Sequence, residues 1–106
     1  LRNVRPDRTE TAVPKILPLN PFTTTGGSTT ITVKEPDHGR STSDRVRFRD
    51  AQNVGGVLGS TINLAAGYVI TKVNDDKYTF ATATTSSISE TGGGGSASAG
   101  PVTVSA

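Results

Sequence analysis

The chain has 106 residues and a mass of 10.9 kDa, with 32 % hydrophobic and 5 % aromatic residues. It contains no Cys, Met or Trp, which excludes a disulfide framework, a thiolate metal site and a cysteine nucleophile. Its 11 basic and 9 acidic residues leave a net charge of +2, too balanced for nucleic-acid binding to be the first reading.

Leu, Ile, Val and Phe together number 23, against 17 Thr, 10 Ser and 12 Gly. The core must therefore be thin and built largely from β-branched side chains. At roughly 25 cal/mol per Å² of apolar burial, such a core barely offsets chain entropy. The chain alone is expected to be marginal and to gain from neighbours. No apolar run approaches the roughly 20 residues that span a bilayer, and no charged-then-apolar leader opens the chain, so no membrane partner is expected. The start at Leu1 rather than Met reads as processing or, preferably, as a piece of a longer polypeptide.

Residues 1–21 hold Pro6, Pro14, Pro18 and Pro21. Proline fixes φ, donates no backbone hydrogen bond and biases its predecessor toward extended shapes. The segment reads as an extended arm that lies along a surface through Val13, Ile16, Leu17 and Leu19. Thr25-Gly-Gly-Ser28 supplies a turn, and Ser28–Lys34 alternates cleanly, with Ile31 and Val33 on one side. Glu35-Pro36-Asp37-His38-Gly39-Arg40 is a breaker and a tight turn. Asp44–Asp50 is the sharpest strand signal: Val46 and Phe48 point inward, Arg45, Arg47 and Arg49 outward.

Residues 51–60, with Gly55, Gly56 and Gly59, read as a loop, and Thr61–Leu64 as a short strand. Residues 67–82 read as a β-hairpin around the polar turn Asn74-Asp75-Asp76-Lys77, with Tyr68, Ile70, Tyr78 and Phe80 facing the core. Residues 84–100 are Ser, Thr, Gly and Ala with Ile88 as anchor, and Gly92–Gly95 has linker composition. Val102-Thr103-Val104 suggests one more short strand. The expected architecture is all-β, a small antiparallel barrel or sandwich over 22–83. An extended arm over 1–21 precedes it and a flexible Gly/Ser-rich tail over 84–106 follows.

No catalytic, metal or cofactor residues are expected, and the chain is read as a non-enzyme. His38 is the single histidine, and its neighbours Asp37 and Ser41 cannot converge as a triad from one turn. Asp75-Asp76 lacks a calcium-loop pattern, and none of the glycine pairs matches a phosphate loop. The stripe Arg45, Arg47, Arg49 reads first as a solvated face that blocks edge aggregation. A protein interface comes second and nucleic-acid contact third.

The ordered motifs resemble a small β-domain that recurs in virion proteins of tailed bacteriophages, especially tail hub or nozzle proteins. They run Asn20-Pro21-Phe22-Thr-Thr-Thr, Gly27-Ser-Thr-Thr-Ile-Thr-Val33, Asp37-His38-Gly39, Asp44-Arg-Val-Arg-Phe48, Val54-Gly55-Gly56, Ile62-Asn63, Tyr68-Val-Ile-Thr-Lys-Val73 and Asp76-Lys-Tyr-Thr-Phe80. The same module is sometimes likened to the first catalytic-cysteine half-domain of ubiquitin-activating enzymes, although this chain has no cysteine. Ser43 stands where the family carries glycine, so that turn must tolerate a side chain.

The resemblance implies a structural virion component of the tail or neck, assembled in the host cytoplasm and acting by packing. Its partners would be other virion proteins and copies of itself in a symmetric ring or lattice. The candidate interface residues are Arg5, Val13, Ile16, Leu17, Leu19, Arg45, Arg47 and Arg49. The candidate core is Ile31, Val33, Val46, Phe48, Tyr68, Ile70, Tyr78 and Phe80. A head-decoration or host-surface glycan-binding module is the alternative. It would need an exposed aromatic platform, for which only Tyr68 and Tyr78 are available.

Overall fold

The computed structural model describes residues 15–100. In chain order the elements are β1 (Lys15–Ile16), β2 (Phe22–Thr24), β3 (Thr30–Lys34), β4 (Arg45–Arg49), a one-turn helix α1 (Gly59–Ile62), β5 (Tyr68–Val69), β6 (Thr71–Asn74), β7 (Lys77–Ala81), β8 (Glu90–Gly93) and β9 (Ser98–Gly100). They form two antiparallel sheets, one in the order β1-β9-β4-β5 and the other β6-β7-β3-β2-β8. The fold is all-β.

The strands with the clearest alternation form the centre of the larger sheet and the middle of the smaller. In β3 and β7 the register places Ile31 opposite Phe80 and Val33 opposite Tyr78. Aromatic and β-branched pairs of this kind stabilise neighbouring strands by about 0.2–1 kcal/mol each. From the other sheet β4 contributes Val46 and Phe48, both fully buried. Phe48 lies 5.4 Å from Phe22 edge-on and 4.7 Å from Phe80 between ring centroids. Phe48, on β4, thus meets Phe22, Tyr78 and Phe80 of the larger sheet and joins the two sheets through an aromatic cluster. Val54, Val57, Ile62, Ala97 and Ala99 complete the core.

Four expectations need correction. Residues 84–100 are not a linker. β8 pairs with β2, and β9 sits between β1 and β4. The glycines there answer a geometric need. Gly92, Gly94 and Gly95 have φ of 79°, 97° and 67°, a region costly for side chains. A Cβ on Gly94 would also overlap the Phe22 ring. Second, Thr61–Leu64 is not a strand. Asn53 Oδ1 accepts the Gly59 N–H at 2.8 Å, and the Asn63 N–H closes a turn on the Gly59 carbonyl at 2.8 Å.

Third, residues 67–82 are not one hairpin. Tyr68 and Val69 pair with β4 in the smaller sheet, and the chain crosses at Ile70 into the larger sheet. The crossing is held by Ile70 N–H to the Asp44 carbonyl at 2.9 Å and Ser43 N–H to the Ile70 carbonyl at 2.8 Å. The true hairpin joins β6 to β7 through Asp75-Asp76 alone, with Asn74 opposite Lys77. Asn74 Oδ1 accepts the Asp76 N–H at 2.8 Å, the local bond that suits Asn to turns.

Fourth, the part of the arm that is described belongs to the domain. β1 pairs with β9, Leu17 and Pro21 are buried, and Leu17 N–H donates to the Ala97 carbonyl at 2.9 Å. Leu17 is therefore a core residue of this chain, seated there because its backbone bond to Ala97 turns the side chain between the sheets. The arm before residue 15 and the strand expected at 102–104 lie outside the described residues.

Candidate functional site

Two side-chain groupings stand out, one inside and one on the surface. The inner one is centred on Glu35, which the sequence presents only as the residue before a proline. Its side chain is 1 % exposed. It accepts the Tyr78 hydroxyl at 2.6 Å, the Arg40 Nε at 3.1 Å and the Arg40 Nη2 at 3.3 Å. The Lys15 ammonium of β1 lies 3.6 Å away. Arg40 Nη2 also reaches the Ala99 carbonyl of β9 at 3.5 Å.

His38 completes the grouping. The Arg40 backbone N–H donates to Nδ1 at 2.8 Å, so the proton sits on Nε2, 2.6 Å from the Asn74 carbonyl. The ring stands edge-on to Tyr78 at 5.1 Å. Burial pushes the Tyr78 phenol well above its ordinary value, and the Glu35 charge pushes it further. Burial alone would lower the Arg40 guanidinium, but the Glu35 charge and hydrogen bonds outweigh it and the net shift is upward.

This cluster is chemically a clip. It ties the end of β3, the β3–β4 turn and β7 of one sheet to β1 and β9 of the other. Glu35 is sealed from solvent, so the carboxylate has no access to a substrate. Among the described residues no group of three or more His, Asp or Glu is placed to hold a metal ion.

The outer grouping follows from the register of the smaller sheet. Ile16 lies opposite Ser98, and Ser98 opposite Arg49. Gly100 lies opposite Arg47, and Val69 opposite Arg45. Directly paired residues share a face, so one surface carries Ile16, Arg49, Arg47, Arg45 and Val69. Arg45 is exposed, Arg47 and Arg49 half-buried. Ile16 is 77 % exposed and Val69 50 %. Arg45 Nη1 donates to the Ala66 carbonyl at 3.2 Å, which fixes its stem along the sheet. Burial lowers the Arg49 pKa, the like charge of Arg47 adds to this, and Asp50 partly offsets it. The residues paired with Arg47 and Arg49, Gly100 and Ser98, are small.

Of the residues singled out from the sequence, Ile16, Arg45, Arg47 and Arg49 come together on this face. Leu19 is 72 % exposed in the β1–β2 connection, and Leu17 turns inward. Arg5 and Val13 lie outside the described residues. Seven of the eight candidate core residues are buried, and Tyr68 is partly buried against Phe80 at 4.7 Å. Neither tyrosine offers a platform: Tyr78 is fully buried, and the Tyr68 hydroxyl donates to the Thr61 carbonyl. Phe22 and the Glu35–Arg40 clip were missed. Phe22 was readable as the largest apolar residue of its segment, whereas nothing local marks Glu35 as buried.

No protein-family model matches the chain, and no curated protein matches it in sequence. Among solved structures, phage phi92 endosialidase contains a similar fold, with a TM-score of 0.63 and 23 % identity. The match covers 83 % of this chain and 12 % of that one. The chain therefore shares its fold with a small part of that phage protein.

Proposed function

We propose that the chain is a structural module of a tailed-bacteriophage virion, in the tail or neck, acting by protein–protein packing and without a catalytic step. The observation that carries this reading is the outer face of the smaller sheet. It sets three arginines between exposed Ile16 and Val69, over a strand whose two edges are already paired. Arginine with apolar neighbours is the composition of a protein interface, and the paired edges direct a partner onto the face instead of the ladder. The fold shared with a segment of a phage protein and the ordered virion-like motifs support the same reading.

The neighbour's name, endosialidase, describes a protein of which this chain spans 12 %, and the absence of a tyrosine platform weighs against a glycan-binding role. The likening to ubiquitin-activating enzymes plays no part, because no cysteine is present to carry a thioester. Partners on this reading are other virion proteins and further copies of the chain.

The test is mass spectrometry of purified virions from a phage encoding the chain. It is expected to find the protein in particles, and Arg45→Glu with Arg47→Glu is expected to deplete it from particles while the purified protein stays folded. Detection only in lysate, never in particles, overturns the proposal.

A further inference from the structure

The arm strand β1 is held to the domain by few contacts, and all of them are of a kind a second copy can supply. Lys15 and Ile16 pair with Ala99 and Ser98. Leu17 N–H bonds the Ala97 carbonyl at 2.9 Å, and its side chain is 4 % exposed. The Lys15 ammonium approaches Glu35 at 3.6 Å and the Pro36 carbonyl at 3.3 Å. Leu17 is the single apolar plug of this segment, since Ile16 and Leu19 on either side stand out in solvent.

The connection from β1 to β2 is Leu17-Pro18-Leu19-Asn20-Pro21. A residue before proline is driven toward extended conformations. Asn20 precedes Pro21 yet has φ of 54°, in the left-handed region. Asn tolerates that region better than most residues, but the following Pro21 biases this position toward extended backbone. Two bonds to Gly95 hold the bend: Asn20 N–H to the Gly95 carbonyl at 2.9 Å, and Gly95 N–H to Asn20 Oδ1 at 3.0 Å. The relaxed form of Leu-Asn-Pro is straight. Straightening it carries β1 away from its own β9 and leaves the Leu17 site and the β9 edge open. A short, conformationally unfavourable hinge between an edge strand and its domain is the arrangement that favours exchange between identical chains.

We propose that β1 is exchanged between copies of this chain in the assembled state. Residues 15–19 of one copy pair with β9 of the next and seat Leu17 between that copy's sheets. This rests on the reading that the chain assembles with copies of itself, and names the segment that joins them. Every β1 contact is reproduced in the exchanged form, so the two forms differ mainly in the hinge and in chain concentration. High local concentration in a ring favours exchange.

The register supplies the test. Ile16 and Ser98 are directly opposite, and the chain has no cysteine of its own. Full-length Ile16→Cys and Ser98→Cys proteins, each checked for a native circular-dichroism spectrum, are mixed at high concentration, unfolded, refolded together and oxidised. A covalent heterodimer between the two variants as the main product, absent when Val69→Cys replaces Ile16→Cys, is the expected result. Monomer only, or equal crosslinking with Val69→Cys, overturns the exchange. The doubly substituted Ile16→Cys/Ser98→Cys protein is expected to give interchain products at high concentration and an intrachain bridge when dilute; an intrachain bridge at every concentration also overturns it. None of these outcomes bears on whether the protein is found in virions, so failure here is separable from failure of the virion reading.

Discussion

Replacing Glu35 with alanine removes the acceptor of three hydrogen bonds, from Tyr78 at 2.6 Å and from Arg40 at 3.1 and 3.3 Å, and strands the Arg40 guanidinium beside Ala99. Hydrogen bonds to a charged group contribute about 1.5–3 kcal/mol each, and breaking a buried ion pair from one side costs about 3–5 kcal/mol. The Arg40 side chain keeps 13 % exposure and has a path to water, which places the cost near the lower limit, about 3 kcal/mol. Domains of this size have about 5–15 kcal/mol in total, so a large share of the stability is lost. At about 4–8 °C per kcal/mol, the melting temperature falls by roughly 12–24 °C.

The double replacement Glu35→Leu/Arg40→Met removes both charges and fills the same space. Because the desolvation penalty then vanishes with the pair, it is expected to cost no more than about 1 kcal/mol. Urea unfolding of the wild type, both single variants and the double variant closes the cycle. A Glu35→Ala cost below about 1 kcal/mol, or a double variant whose loss equals the sum of the singles, refutes the account of Glu35 and Arg40 as one buried unit.

Three further outcomes follow from the same geometry. Tyr78 has its pKa raised from 10.0 in the folded chain, so its contribution is complete below pH 10 and is lost as pH rises beyond that. Urea midpoints are expected to fall above that pH, with up to about 1.4 kcal/mol per pH unit from this group, and Tyr78→Phe is expected to flatten the alkaline slope; an unchanged slope contradicts this. Ser43 has φ of 80°, in the left-handed region. Ser43→Gly relieves a left-handed side chain at some entropic cost and is expected to raise stability by about 0.5–1 kcal/mol in thermal melts, any loss counting against it. Gly94→Ala combines φ of 97° with overlap of the Phe22 ring, and is expected to destabilise by about 2–4 kcal/mol, whereas a neutral result would mean this loop does not pack on Phe22.

The central strands of both sheets were legible from residue order. Thr30–Lys34, Arg45–Arg49 and Lys77–Ala81 each place two large apolar residues two positions apart between polar ones. A strand with one face on a core has that period by necessity. The turn at Asn74–Lys77 was legible because Asn and Asp form local side-chain bonds that suit reversals. The arginine stripe was legible for the same reason as the strand beneath it: its residues take the alternate positions of β4.

What was not legible depended on distant partners. Glu90–Gly93 and Ser98–Gly100 carry no apolar alternation: β8 has no large apolar side chain and its buried Gly93 leaves no room for a Cβ beside Val54, and β9 has only Ser, Ala and Gly where Ala99 pairs with Phe48. Composition alone gives that pattern the look of a linker. Leu17 read as an interface residue of the arm because its place in the core depends on pairing near Ala97, far away in the chain. Glu35 became buried because Tyr78, 43 residues on, and Arg40 meet it between the sheets. The sequence by itself determined the periodicity of the strands, the chemistry of the turns and the thinness of the core. Only the tertiary structure decided that the tail completes both sheets, that β1 docks on β9, and that a carboxylate sits inside, because each of these depends on contacts between segments that carry no local sign of one another.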